Sequence, residues 1–131
     1  MLSLVLGSTV MLVLQQPVTL PRPAVECAAH LTNPRARHNC LGDLLQEAEA
    51  AMAVAAAGAA EEAELADLDT GGMFGASAAL EAAQGAWTTY RDAECARRGA
   101  LMILSEESRR DVVLDCQIAL TRARTTELSE A

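Results

Sequence analysis

Two cysteines and two histidines near the start of the chain are the residues best suited to bind a metal. They form the patterns Cys27-x-x-His30 and His38-x-Cys40. Thiolate and imidazole groups are both zinc ligands, so a zinc site is one interpretation of this segment. The spacing matches none of the common zinc-finger patterns, and the chain has four cysteines in all. An even number in a small chain is typical of disulfide bonds, and we therefore expect neither zinc nor another cofactor.

The segment AWTTYRDAECARRGA, residues 86–100, gathers a second set of chemically versatile side chains. It holds the only Trp and the only Tyr of the chain, together with an Arg-Asp pair and a cysteine. A hydrolytic triad also needs a histidine beside its nucleophile, and both histidines lie in the amino-terminal segment beside cysteines that we expect to be bonded. Carboxylate pairs such as Asp43 and Glu47 are typical of a solvated helix face. We predict that the protein is not an enzyme.

Three helices are predicted to position these residues, since no strand-like alternation occurs in the sequence. The first begins at Asn33-Pro34, because Asn is a good N-cap and Pro suits the first helical position. It ends at the turn Asp69-Thr-Gly-Gly. Its apolar stripe has helical spacing and comprises Leu41, Leu44, Leu45, Ala48, Met52, Ala55, Ala59 and Ala66.

The second predicted helix is capped by Ser77 and runs to about Arg98, where Gly99 stops it. After the apolar connector ALMIL, Ser105 caps the third helix. We predict that Trp87 lies in the core, on a helix face made of Leu80, Ala83, Ala86, Trp87, Tyr90 and Ala93. The stripe of the third helix comprises Val113, Cys116, Leu120, Ala123 and Leu128. The sequence thus predicts an all-α, antiparallel three-helix domain.

Four cysteines allow three pairings, and the predicted hairpin of the second and third helices favours one of them. If these helices fold back antiparallel, Cys95 near the end of one helix meets Cys116 inside the next. Cys27 and Cys40 then remain as the local pair. Each bridge closes a short loop, which corresponds to about 3 kcal/mol of stability. Because aromatic residues make up only 2% of the chain, we expect the bridges to supply a large share of its stability.

The start of the chain is typical of an export signal. Leu2 to Leu14 is an apolar run that is too short to span a bilayer and has the length of a signal-peptide core. We expect residues 1–24 to form a signal peptide, with cleavage between Gln16 and Ala24. Residues 25–131 would then form the helical domain, without a membrane span in the mature chain and with a periplasmic or secreted location.

The charge of the chain is strongly negative and unevenly distributed. A net charge of −8 argues against nucleic acid and anionic membranes as partners and suits a cationic protein. Between His38 and Tyr90 the chain has no Arg or Lys, and the acidic residues of this stretch are Asp43, Glu47, Glu49, Glu61, Glu62, Glu64, Asp67, Asp69 and Glu81. The predicted partner-binding residues are the densest group, Glu61, Glu62, Glu64, Asp67 and Asp69.

The pattern of the carboxy-terminal half resembles the signature of the LprI-like lysozyme-inhibitor family. The residues that carry the resemblance are Trp87, Tyr90, Arg91, Asp92 and Cys95, followed by Cys116, Leu120, Thr121, Arg124 and Leu128. The similarity covers roughly residues 27 to 128. It implies a small exported bacterial helical protein that inhibits lysozyme by protein-protein binding, with signature residues of structural role. The acidic charge of the chain favours a basic lysozyme as the partner. The alternative function is that of an envelope interaction module with a different ligand.

Overall fold

The computed structural model describes residues 22–103 and 105–130. The predicted signal peptide therefore lies, up to residue 21, outside the described residues, and its boundary stays a prediction. The described chain forms a short helix α1, a 3-10 turn and three long helices. Their bounds are α1 Pro23–Glu26, the 3-10 turn Ala28–His30, α2 Pro34–Thr70, α3 Ala76–Ala100 and α4 Glu106–Ser129. The predicted all-α architecture of three long helices is confirmed.

Most of the predicted helix ends are confirmed by their capping groups. The Asn33 side chain accepts a hydrogen bond from the Ala36 amide, and Ser105 accepts one from the Ser108 amide. Helix α2 ends at Gly71, whose φ of 62° is the left-handed conformation that glycine adopts without steric cost. The prediction for Ser77 was wrong, because α3 begins at Ala76 and its amino-terminal cap position is a glycine.

The directions of the three long helices follow from two polar contacts of known register. Asp111 near the start of α4 binds Arg37 near the start of α2, and Thr121 shares the Arg91 side chain with Glu49 farther along α2. Helices α2 and α4 are therefore parallel. Helix α3 runs antiparallel to both, because the Cys95–Cys116 bridge and the Arg91–Thr121 contact occur in opposite order along α3 and α4. Since each helix rises about 1.5 Å per residue, α4 ends level with a point about two-thirds of the way along α2, which continues for about 20 Å beyond it.

The apolar core occupies only the end of the domain where all three helices meet. Its buried members are Cys27, Leu41, Ala48 and Ile118, with Cys40, Leu44, Leu45 and Leu114 packed against them. Beyond the end of α4, helix α2 pairs with α3 alone. The predicted stripe of α2 accordingly becomes less buried along the helix, and Ala66 at its far end is exposed.

Both predicted disulfides are present in the structure. Cys27 bonds to Cys40, and Cys95 bonds to Cys116. The first bridge attaches the amino-terminal segment to α2, and the second joins α3 to α4 at the centre of the three-helix region. Because Cys27 and Cys40 are bonded to each other, neither is a thiolate ligand for zinc.

The inward face of α3 differs from the predicted one. Tyr90 is 56% exposed, and the three alanines assigned to the same face are exposed as well. The inward positions are Gln84, Trp87, Arg91, Cys95 and Gly99, of which Trp87 is half-buried. The disulfide at Cys95 fixes this orientation, because residues four apart share a face and Arg91 therefore points inward with it. On α4, Ala123 is likewise exposed rather than part of the stripe.

Gly99 has a packing role rather than the predicted role of ending α3. The helix continues through Ala100, and Gly99 is buried against α4. A Cβ atom at this position would lie 2.7 Å from Cγ2 of Val113, closer than two carbon atoms can pack. The absence of a side chain thus lets α3 and α4 approach each other next to the Cys95 bridge.

Candidate functional site

The Arg91 guanidinium is the centre of a polar network that joins the three long helices. Its side chain is buried, and one terminal nitrogen donates to Glu49 Oε1 on α2 and to Thr121 Oγ1 on α4, each at 3.2 Å. Its Nε donates to Asp92 Oδ1 at 2.9 Å. The guanidinium carbon also lies 5.4 Å from the centre of the Trp87 ring, within the range of a cation–π interaction. Arg91 therefore binds within the fold and does not face a ligand.

The other signature residues extend this network along the interface between α3 and α4. Arg124 donates from Nε to Gln84 Oε1 at 3.0 Å, and Asp92 accepts a longer contact from Gln117. Leu128 is buried and Leu120 is half-buried, whereas Tyr90 is exposed on the outer side of α3. Apart from Tyr90, the geometry of these residues suits the structural role that the sequence resemblance implies.

A second polar cluster lies at the amino-terminal ends of α2 and α4. Asp111 accepts from Arg37 Nε at 2.6 Å and is 3.1 Å from Nδ1 of His38. An Asp-His pair beside a hollow of about 480 Å³ has the outline of a catalytic dyad. The described residues that line this hollow include no Ser, Thr, Cys or Lys. Both contacts of Asp111 join α4 to α2.

The predicted acidic surface lies on the part of α2 that projects beyond α4. Glu61, Glu62, Glu64 and Asp69 are exposed there. Asp67 differs from them, because its carboxylate accepts hydrogen bonds from the backbone amides of Ala76 at 2.7 Å and Ser77 at 3.0 Å. It thereby caps the first turn of α3, and the hydrogen bonds from Ser77 and Ala76 lower the pKa of Asp67 below its usual value. Four of the five predicted residues thus remain free to meet a partner.

The Asp67 cap gives a pH-dependent prediction. Because the folded-state pKa of Asp67 is lowered from 3.8, the ionised carboxylate stabilises the fold above about pH 4, and this contribution is lost as the pH falls through the folded-state pKa. We expect Asp67→Ala to lower the melting temperature at pH 7 and this difference from wild type to shrink toward pH 2. Thermal unfolding followed by circular dichroism measures it. The exposed neighbour Asp69→Ala is the control, and an equal effect in both variants would contradict the cap.

Four large apolar side chains share this projecting hairpin and were missed by the sequence analysis. Phe74, the only Phe of the chain, and Met73 are each 76% exposed in the turn between α2 and α3. Leu68 and Leu65 are exposed on the last turns of α2. The glycine-rich turn could have revealed these exposed side chains in the sequence. A Phe between glycines at the tip of a helical hairpin lies too far from the core to be buried.

A shallow hollow runs between α2 and α3 behind this tip. Its volume is about 330 Å³, and its floor consists of small residues and Leu80. Two carboxylates line it, Glu64 from α2 and Glu81 from α3. Within the described part of the chain no cluster of His, Cys, Asp and Glu is arranged to hold a metal ion. The described helices also include none with the length and hydropathy that a bilayer crossing requires.

Comparison with known proteins identifies one family. The family model described as "Lysozyme inhibitor LprI" matches residues 26–128. This range takes in both disulfides, the Arg91 network and the projecting hairpin. No curated protein and no solved structure matches the chain.

Proposed function

Since the chain belongs to the LprI lysozyme-inhibitor family, we propose that it inhibits a basic lysozyme by binding to it as a protein partner. The family match over residues 26–128 is the observation that carries this proposal. In this function the protein contributes a binding surface and no catalytic group. The buried Arg91 network and the two disulfides hold the helices in place, and the exposed surface makes the contact.

Charge supports a basic enzyme as the target. The net charge of −8 is concentrated in a stretch without Arg or Lys, and the exposed acids Glu61, Glu62 and Glu64 lie together on the projecting part of α2. A carboxylate-rich surface attracts a cationic partner from solution and raises the rate of association. The acids near the carboxy-terminal end of α2 are slightly unfavourable for the helix dipole, so helix stability does not account for them.

We place this function outside the cytoplasm. Two disulfides in a small domain are typical of proteins that fold in an oxidising compartment, and the apolar run at the start of the sequence is typical of a signal peptide. The periplasm and the extracellular space are also the compartments in which the protein would encounter a lysozyme that attacks the cell wall.

The direct test is a lysozyme assay with purified, disulfide-bonded protein. Clearing of a cell-wall suspension is measured with a basic lysozyme and with an acidic one, each over a range of inhibitor concentrations. We expect concentration-dependent inhibition of the basic enzyme and weaker or no inhibition of the acidic one. Full activity of the basic enzyme at micromolar concentrations of the protein would overturn the proposal.

Neutralising the acidic surface should slow the association. We expect the triple variant Glu61→Gln, Glu62→Gln, Glu64→Gln to lower the association rate about three- to tenfold at low salt and to flatten its salt dependence. Asp67 is left intact because it caps α3. Surface plasmon resonance at two ionic strengths measures both quantities.

A control of equal net charge separates local from overall electrostatics. Asp43→Asn, Glu47→Gln, Glu107→Gln also removes three exposed acids, but away from the projecting hairpin. Equal loss of association rate in both triple variants would show that only total charge matters and that Glu61, Glu62 and Glu64 are not a docking region.

A further inference from the structure

We propose that the projecting hairpin of α2 and α3 is a preformed wedge that inserts the Phe74 side chain into a concave apolar site of a cationic protein. The hairpin consists of residues 61–81, and its docking elements are the apolar tip, Met73 and Phe74, and the acid-lined hollow behind it. This inference rests on the proposed function, because it takes the basic lysozyme as the occupant. It goes beyond that function because it names the residues that enter the partner and the residues that receive a side chain of the partner.

The projecting hairpin is long and narrow. Helix α4 ends about two-thirds of the way along α2, so the last turns of α2 and the first turns of α3 extend about 20 Å from the three-helix body. A narrow two-helix projection can enter a cleft that a broad helical face cannot. Both α2 and α3 contribute small residues along this stretch, mostly Ala, which keeps the hairpin thin.

The turn at the tip is held in place before it binds. Gly71, Gly72 and Gly75 all adopt left-handed conformations in the turn, which the backbone amides of Gly71 and Gly72 close onto the end of α2. The Asp67 carboxylate ties the start of α3 to the end of α2 at the same place. An aromatic side chain held on a fixed turn loses little conformational entropy on binding, which is the property of an interface anchor.

The charge of the projecting hairpin selects the kind of partner. The exposed carboxylates of Glu61, Glu62, Glu64 and Asp69 lie on the part of α2 that leads to the apolar tip, and the hollow between the helices is lined by Glu64 and Glu81. An apolar anchor within an acidic rim complements an apolar recess within a basic rim. The hollow has room for one Arg or Lys side chain of the partner, whose charge would meet both carboxylates.

The opposite end of the molecule shows why the acidic tip is favoured. Leu101, Met102 and Ile103 in the connector between α3 and α4 are also exposed, and Ile103 is 102% exposed. The acids of this second apolar patch are balanced by arginines, since Arg97 and Arg98 pair with Glu94 and Arg110 pairs with Glu106. It therefore provides a control with a similar apolar surface and without the acidic surplus that would attract a cationic partner.

The test measures inhibition of the basic lysozyme by wild type, Phe74→Ala and Ile103→Ala. We expect Phe74→Ala to weaken inhibition at least about 30-fold, as for a central hot spot, and Ile103→Ala to change it less than about twofold. Glu64→Gln with Glu81→Gln should weaken inhibition and reduce its salt dependence. All these positions are exposed or half-buried, so circular dichroism and melting temperatures should match those of wild type.

The outcomes distinguish a failure of the wedge from a failure of the proposed function. If wild type inhibits the enzyme and Phe74→Ala inhibits equally well, the wedge is overturned and the proposed function stands. If Ile103→Ala alone loses inhibition, the partner docks on the connector and the wedge is again overturned. If wild type inhibits no lysozyme, the wedge and the proposed function are both overturned. Sedimentation that shows self-association of the free protein, abolished by Phe74→Ala, would make a second copy the occupant and overturn the assignment to a cationic partner.

Discussion

Reduction of both disulfides is expected to lower the free energy of unfolding by about 6 kcal/mol, since each closed loop contributes about 3 kcal/mol. The loops span sequence separations of 13 and 21 residues. Small domains are typically stable by about 5–15 kcal/mol, so this loss removes much or all of the total. The reserve is small here, because the core is built from Leu, Ala, Ile and cystine, with only a half-buried Trp beside it.

Thermal unfolding with and without reductant measures this effect, and two paired variants divide it between the bridges. Cys95→Ser with Cys116→Ser releases α3 from α4, whereas Cys27→Ser with Cys40→Ser releases the amino-terminal segment from α2. Reductant should leave the melting temperature of the variant with all four substitutions unchanged, which controls for other effects of the reagent. A wild-type melting temperature that hardly moves on reduction would show that helix packing alone stabilises the domain.

Three of the helix ends and both disulfides could be predicted from the sequence, because local chemistry or the order of the helices decides them. Asn33-Pro34, Ser105 and Gly71 act within one helical turn of their own position, and each does so as expected. The pairing of Cys95 with Cys116 needed only the assumption of an antiparallel hairpin. Short-range rules suffice wherever the interacting groups are neighbours in the chain.

The inward face of α3 could not be predicted from hydrophobic pattern, because polar and small residues occupy it. Arg91 is buried by virtue of partners on two other helices, Glu49 and Thr121, which are distant in sequence. The cap of α3 was missed for the same reason, since Asp67 lies nine positions before the amide that it binds. The projecting hairpin depends on the difference in length between α2 and α4, which gives Phe74 no neighbour to pack against.

Arg91→Ala is expected to cost about 2–4 kcal/mol, the second large effect on stability. The substitution removes the bonds to Glu49, Asp92 and Thr121 and the contact with the Trp87 ring. The two carboxylates are 45% and 53% exposed and recover much of their hydration, which keeps the loss below that of a fully buried ion pair. Most of the loss of stability comes from Thr121. This residue is 0% exposed, and its hydroxyl oxygen loses the hydrogen bond that Arg91 donates.

A double-mutant cycle with Thr121→Val tests this assignment by urea denaturation. If the unpaired hydroxyl is the main penalty, Arg91→Ala with Thr121→Val should be more stable than the sum of the two single losses predicts. Arg91→Lys should fall between wild type and Arg91→Ala, because it retains the charge but loses the Nε donor to Asp92 and the planar group that lies over the Trp87 ring. Arg97→Ala, on the exposed side of the same helix, is the control and should have a much smaller effect. Additive losses in the cycle would mean that Arg91 stabilises the fold through its contact with Trp87 and the burial of its own hydrocarbon stem. The hydrogen bond to Thr121 would then contribute little to stability.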